Sequence, residues 1–502
     1  MNNYLGIEFG STRVKAVVVD ETFRAVAVGS HTWENKLEGG YWTYSLDDVT
    51  TALQSAYAAA AADYSAKTGR ALEQIDAIGI SGMMHGYLPF DSEWRLLVPF
   101  RTWRNTTTAR AAAELSRLLD FNIPQRWSVA HYHQARLEGE AHVPAVAHLT
   151  TLAGWVHWRL SGVNALGVGE ASGMFPVDAS GGWDAARLEK YRAASGADLA
   201  ALLPDVLPAG AAAGRLTEEG ARLIDPTGVL RPGALMAPPE GDAGTGMVAT
   251  NAVAARTGNV SAGTSVFAMV VLEKPLSGAY PEIDMVTTPS GRPVAMVHCN
   301  NCTSDLNAWV ALLGGDFDAL FRESLAAAPD AGGVVVVPYV SGEPVAGLEA
   351  GMPIVARAPD AAFTRANFMR ASIYSAFATL KMGMDILARE SCALDALTGH
   401  GGIFTTPGVA QQYLADALET PVACLATAGE GGPWGMAVLA AYAGYRSQGG
   451  PDALEDYLSG RVFAHSGGVV CSPSPEGVAG FRAYMERFGK ALAAERAICS
   501  KS

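Results

Sequence analysis

The chain has 502 residues, 49% of them hydrophobic and 17% charged, with a formal net charge of −14. That is too long for one ordinary core and too well supplied with apolar residues to be disordered. The acidic balance argues against a nucleic-acid-binding surface, though not against a local phosphate site. No run of about 18 uncharged apolar residues is present, so no membrane span is expected. The start "MNNYLGIEFG" has no basic region ahead of an apolar core, so no secretory leader is expected, and six cysteines are too few for a disulfide scaffold. A cytoplasmic chain with reduced thiols is the expectation.

Residues 4–20 predict a β-hairpin, "YLGIEF", a Gly-Ser-Thr turn, then "VKAVVVD". Its oddity is Glu8, a carboxylate in an apolar strand just before the turn, with Arg13 and Lys15 just after it. A third extended stretch, "AVAVGSHTW", follows. The alanine-rich segment 45–67 has helical spacing with Ser45 as its N-cap, and "IDAIGIS" predicts a buried strand. Strands and helices alternate onward, which makes the class α/β. Near the middle, "PPEGDAGTGMVA" is a proline breaker leading into a Gly-Asp loop and a helix. Then "SAGTSVFAMVV" repeats the opening pattern of strand, Gly-Thr-Ser turn and valine-rich strand. The echo predicts two related domains, the second starting near residue 255. Beyond it come the buried strand "VVVV" before "PYVSGEP", a long amphipathic helix over 363–390, and glycine loops "GHGGIFTT" and "GEGGPWG", each opening a helix. A helical tail over 477–497 closes the chain.

Two Gly-Ser/Thr turns offer backbone N–H groups and hydroxyls to a polyphosphate. Gly10, Ser11 and Thr12 also fit a plain hairpin turn, and the repetition at Gly263, Thr264 and Ser265 is what favours phosphate. Asp242 fits both an N-cap and a catalytic base. His85, in "GMMHG", fits both a satisfied loop histidine and a ligand contact. Met83 breaks the G-x-S-x-G pattern, so a serine hydrolase is excluded on the motif, and no P-loop sequence is present. Cys299 and Cys302 have metal-like spacing with no second pair to complete a zinc site, and read as reduced thiols at a strand-to-helix junction.

Taken in order, these segments resemble the FGGY family of carbohydrate kinases over essentially the whole chain. "GIEFGSTRVKAVVVD" is similar to the family's first phosphate hairpin, and "ISGMMHGYLPFD" to the xylulokinase-type segment lining the sugar site. "TWRNTTTAR" stands where the family has a Trp-x-Asp segment, and "PPEGDAGTGMVA" resembles the segment carrying the catalytic base. "SAGTS" resembles the second phosphate motif, "VVVVPYVSGE" a Pro-Tyr-Leu-Ser-Gly-Glu stretch, "GHGGIFTTPGVA" the adenine loop, and "GEGGPWGMAVLAAY" the last glycine signature. Glu8 and Glu170 stand where relatives have Asp, Asn105 where an acidic sugar contact is frequent, and Pro344 where Arg is frequent.

The resemblance implies two actin-like, ribonuclease H-like α/β ATPase domains with the active site in the interdomain cleft. It implies an N-terminal sugar-binding domain over 1–254, an ATP-binding domain over 255–446 and a tail over 447–502. It implies transfer of the γ-phosphate of ATP to a hydroxyl of a small ketose or polyol. Xylulose leads, with ribulose, erythrulose or another polyol as alternatives; a non-catalytic actin-like ATP- or sugar-binding protein is the alternative of another class. On this resemblance Asp242 takes the hydroxyl proton. Gly10, Ser11, Thr12, Arg13, Lys15, Gly263, Thr264 and Ser265 hold phosphates, and Gly401, Gly402 and Phe404 approach the adenine. Met84, His85, Asn105, Glu170 and Asp242 meet the sugar, and Mg²⁺ sits between phosphates, waters, Glu8 and Asp242. The extra methylene of Glu8 predicts action through water or a slightly withdrawn hairpin. The expected partner is a small sugar, with neither nucleic acid nor membrane, and a homodimer is common in the family.

Overall fold

A computed structural model describes residues 2–425 and 431–499. The chain divides into two compact units, Met1–Val253 with Met285–Pro293 and Glu430–His465, and Ala254–Asp284 with Val294–Gly429 and Ser466–Ser502. They are discontinuous in sequence, unlike the segments read above. The helix Gly432–Ser447, expected with the second domain, packs into the first unit.

The first unit is built on a sheet. Strands β1 (Tyr4–Phe9), β2 (Arg13–Val19) and β3 (Ala25–Thr32) run antiparallel. A small hairpin follows, β4 (Lys36–Glu38) with β5 (Tyr41–Thr43). Helix α1 (Leu46–Thr68) is capped by Ser45, whose side chain accepts from the Asp48 N–H, and ends at Gly69 with φ +71°. Strand β6 (Ala77–Gly82) then lies parallel to β1. Two short strands, Leu235–Met236 and Glu240–Gly241, both pair parallel with β6. The proline pair between them interrupts a strand rather than preceding a bare turn, since proline has no N–H for the ladder.

Period-two alternation gives β1 two faces. Leu5, Ile7 and Phe9 join Val14, Ala16, Val18 and the α1 residues Val49, Leu53 and Tyr57 in one apolar core. Gly6 and Glu8 face the other way, under helix Gly432–Ser447. A Cβ on Gly6 would stand 2.1 Å from the Pro433 carbonyl oxygen, and one on Gly79 2.3 Å from Met436. These two glycines let the helix lie directly on the sheet, and any side chain there would lift it off.

The second unit repeats the plan. Thr257–Ala262 and Val266–Val271 form an antiparallel hairpin, Pro293–Cys299 extends it, and Ala396–His400 runs parallel to its first strand. Helix Arg365–Arg389 is capped by Thr364. Tyr484 of the closing helix Pro475–Cys499 donates to the carbonyls of Val336 and Ala371. No helix among the described residues is long and apolar enough to cross a membrane.

Candidate active site

Three parallel strands of the first unit end side by side, with β6 between β1 and Glu240–Gly241. Their carboxyl ends carry Glu8, the Ser81–His85 turn and Asp242, the edge of a parallel sheet where ligands collect. The register fixes this, since Glu8 pairs with Ser81 and Gly82 with Gly241. Asp242 is the first residue of the helix Asp242–Ala249. Its Oδ1 accepts from the N–H of Ala243 at 2.9 Å and, more weakly, of Met84 at 3.4 Å. The carboxylate is open to solvent yet crowded by protein. The resulting desolvation pushes its pKa up to about 6, with those two N–H groups as partial offsets.

Glu8 is half-buried. Its Oε2 accepts from the Thr245 hydroxyl at 3.4 Å, and Thr245 in turn bonds Ser81 at 3.2 Å. Burial first, then the negative charge of Asp242, raises its pKa to about 8, against the lowering pull of Thr245 and Lys15. The last glycine loop reaches this point too. A Cβ on Gly432 would lie 1.7 Å from Glu8 Oε2, and one on Gly435 2.2 Å from the Thr245 carbonyl oxygen. Those glycines admit protein groups here; residues 429 and 430 of that loop lie outside the described residues.

His85 adopts φ +71°, a backbone region few non-glycine residues take. Its Nδ1 donates to the Gly173 carbonyl at 2.9 Å, which makes Nε2 the acceptor of the neutral ring. Burial, helped by Arg126, pulls its pKa down to about 3, so the ring is neutral. Met84 is buried beside it. Glu170, expected at the sugar, is fully sealed from solvent behind Gly241. Burial holds its pKa well above the usual carboxylate range, with the Thr151 hydroxyl as partial offset and the charges of Glu240 and Asp242 adding to the rise.

The β1–β2 turn is held from the protein side. Trp33 donates through Nε1 to the Gly10 carbonyl at 2.8 Å, and through its backbone N–H to the Thr12 carbonyl at 3.2 Å. Tyr44 donates to the Ser11 carbonyl. Arg13 is exposed and Lys15 half-buried on β2. Asn105 is engaged elsewhere. Its Oδ1 accepts from the Trp42 N–H, and its Nδ2 donates to the carbonyls of Trp42 and Thr102, each at 2.9 Å. With its amide committed to backbone, Asn105 staples β5 in place, a structural duty the sequence reading had not given it.

In the second unit the Gly263–Ser265 turn is held the same way. The Gly263 carbonyl accepts from the Thr303 N–H and hydroxyl, and the Thr264 carbonyl from the Cys302 N–H. Gly401, at φ +106°, brings its loop against this hairpin, since a Cβ there would stand 2.3 Å from the Ala262 carbonyl oxygen. Gly402 has open space beside it, and Phe404 packs its ring over Gly399. Cys299 ends a strand, Cys302 caps the helix Thr303–Leu312, and both are buried free thiols.

Sequence reasoning passed over Glu240, Thr245, Trp33 and Tyr44. Glu240 is buried, and its carboxylate accepts from the Glu170 N–H at 2.9 Å and the Gly169 N–H at 3.4 Å. It occupies space that side chains on Gly167 or Gly169 would fill. An acid two residues before Asp242 was the available signal.

Comparison with known proteins places the whole chain in one family. The N-terminal domain model of the FGGY family of carbohydrate kinases matches residues 3–229, and its C-terminal domain model matches residues 258–444. A xylulose kinase from Haemophilus influenzae is 23% identical over 441 residues, 84% of this chain and 87% of that one. The solved structure of a xyloylose kinase from Brucella ovis superposes with a TM-score of 0.83 at 20% identity, covering 99% of this chain and all of the other. A gluconate kinase from Lactobacillus acidophilus reaches 0.82 at 16% identity, covering 100% of this chain and 99% of that one. The two-domain, mixed α/β fold is thus the actin-like ATPase fold of these kinases, and the chain, a sugar kinase, belongs to the FGGY family of carbohydrate kinases.

Proposed function

We propose that this kinase transfers the γ-phosphate of ATP to a hydroxyl of a small uncharged ketose, with xylulose as the leading substrate. The observation that carries the reading is Asp242, an exposed carboxylate fixed by two backbone N–H groups beside Met84 and His85. Phosphoryl transfer is mostly positioning and electrostatics, and the protein's own proton task is to take the hydroxyl hydrogen. A base with a pKa near 6 is ionised at neutral pH and still accepts a proton. His85 offers Nε2 as an acceptor to a sugar hydroxyl, which suits a neutral polyhydroxylated ligand. The ionised carboxylate of Asp242 makes this a poor place for a sugar acid. The likeness to a xylulose kinase from Haemophilus influenzae supports xylulose over ribulose, erythrulose or a polyol.

Gly10, Ser11 and Thr12 in the first unit, and Gly263, Thr264 and Ser265 in the second, are assigned to phosphates, with Arg13 and Lys15 adding positive charge nearby. Gly401, Gly402 and Phe404 are assigned to the adenine. Mg²⁺ fits the donor set. No cage of three or more metal-ligating side chains occurs among the described residues. Mg²⁺ keeps most of its waters and needs only one or two carboxylates plus phosphate oxygens. Glu8 and Asp242 would hold it, and it would neutralise phosphate charge.

A coupled ADP-release assay over xylulose, ribulose, erythrulose, glycerol and gluconate tests the reading. Highest kcat/KM for xylulose is the expected result. Preference for gluconate would overturn the uncharged-sugar assignment, preference for glycerol would overturn the ketose, and preference for ribulose or erythrulose would replace xylulose alone.

A further inference from the structure

Trp103 is 40% exposed, with an apolar ring and one polar edge. Its indole Nε1 lies 3.2 Å from Ser11 Oγ. An indole N–H can only donate, so the direction of this bond is fixed. The hydroxyl accepts from Trp103, which turns its single hydrogen away from the ring.

The rest of the turn is arranged to the same end. The carbonyls of Gly10, Ser11 and Thr12 accept from Trp33 Nε1, the Tyr44 hydroxyl and the Trp33 N–H. Trp33 and Tyr44 are themselves stacked, with ring centroids 4.1 Å apart. With these acceptors taken by protein donors, the turn is left to present donors, which is the complement of a phosphate. Trp103 is in turn fixed by its neighbours. The Thr102 N–H donates to the Trp42 carbonyl, and Asn105 bonds Trp42 in both directions.

We propose that Trp103 is a positioning residue for phosphoryl transfer, orienting the Ser11 hydroxyl so that its hydrogen points at a phosphate oxygen of the nucleotide. The inference rests on the assignment of Gly10–Thr12 to phosphate. It also gives Asn105 an indirect part in the reaction, through the segment that carries Trp103.

The test is a double-mutant cycle on the full chain, read as binding of Mg²⁺-AMP-PNP by calorimetry, which needs no knowledge of the sugar. Trp103→Phe keeps the ring and removes the N–H; Ser11→Ala removes the hydroxyl. Each change alone weakens binding about threefold to tenfold, the range of one hydrogen bond. The double variant binds within about twofold of Ser11→Ala, because Trp103 acts only through Ser11. Melting temperatures of Trp103→Phe and the native protein agree within about 2 °C, which a merely structural role would not give. Native-like binding by Trp103→Phe, or losses that multiply in the double variant, overturns the proposal. Failure of the native protein to bind the nucleotide overturns the phosphate assignment and this inference with it, whereas failure to phosphorylate xylulose touches neither.

Discussion

The Glu8 carboxylate lies against the Cα of Gly432, so closely that a Cβ at Gly432 would stand 1.7 Å from Oε2. Glu8 leaves β1 on the face covered by helix Gly432–Ser447 and ends at that helix's first turn, where the positive end of the helix dipole lies. An aspartate would stop short by one C–C bond, about 1.5 Å. The extra methylene therefore carries the carboxylate to Thr245 and the helix end.

Gly432→Ala is expected to displace Glu8 and lower kcat/KM about 10- to 100-fold, the cost of a misplacement near 1 Å. Adding Glu8→Asp to that variant should recover part of the loss by making room for the new methyl group. Steady-state kinetics of the two variants and their combination decide the matter. A double variant worse than both singles would show that the contact with Gly432 is not what limits Glu8.

Asp242→Asn should lower kcat by about 10²- to 10⁴-fold, the usual contribution of a general base. The carboxylate, raised to about 6, is active when ionised. In the native enzyme kcat/KM should therefore rise with pH through about 6 and level off above it. Near-native turnover by the Asn variant would remove Asp242 from the proton transfer.

Glu240 is buried, and burial raises its pKa to about 8, only partly offset by the N–H groups of Glu170, Gly169 and Gly241. The folded protein thus holds this proton more tightly than the unfolded chain. The stability gained is complete below the ordinary value of 4.5 and fades as pH rises through about 8. Glu240→Gln, a permanent mimic of the protonated form, should melt with the native protein near pH 5 and about 3 °C or more above it at pH 8.5. Thermal melts at the two values check this, and parallel pH profiles would contradict it.

His85→Asn keeps a side chain tolerant of positive φ and a donor for the Gly173 carbonyl, but loses Nε2. Its KM for the sugar should rise about tenfold or more, with a smaller change in kcat. An unchanged KM would place the sugar away from Nε2.

Both hairpins were legible because a Gly-Ser-Thr or Gly-Thr-Ser turn between apolar strands is a local signal. The exposed acid at the start of the helix Asp242–Ala249 was legible because Gly241 and Gly244 stand on either side of it. Asn105 was misjudged because its partners are the backbone groups of Trp42, 63 residues away, and no residue type announces such a partner. Glu240 was passed over because its role depends on Gly167 and Gly169, small residues whose meaning appears only when something fills the space they leave. The Glu8 puzzle needed the helix from Gly432, more than 400 positions along the chain.

That helix sets the timetable of biosynthesis. The strands carrying Gly6 and Gly79 leave the ribosome early, but the helix that roofs them is completed only at Ser447. At ordinary elongation rates the gap is roughly twenty to seventy seconds. For that time one face of the first sheet has no cover of its own. The nascent chain is then a natural client for a chaperone, and any message truncated before residue 432 yields a first unit that cannot be finished.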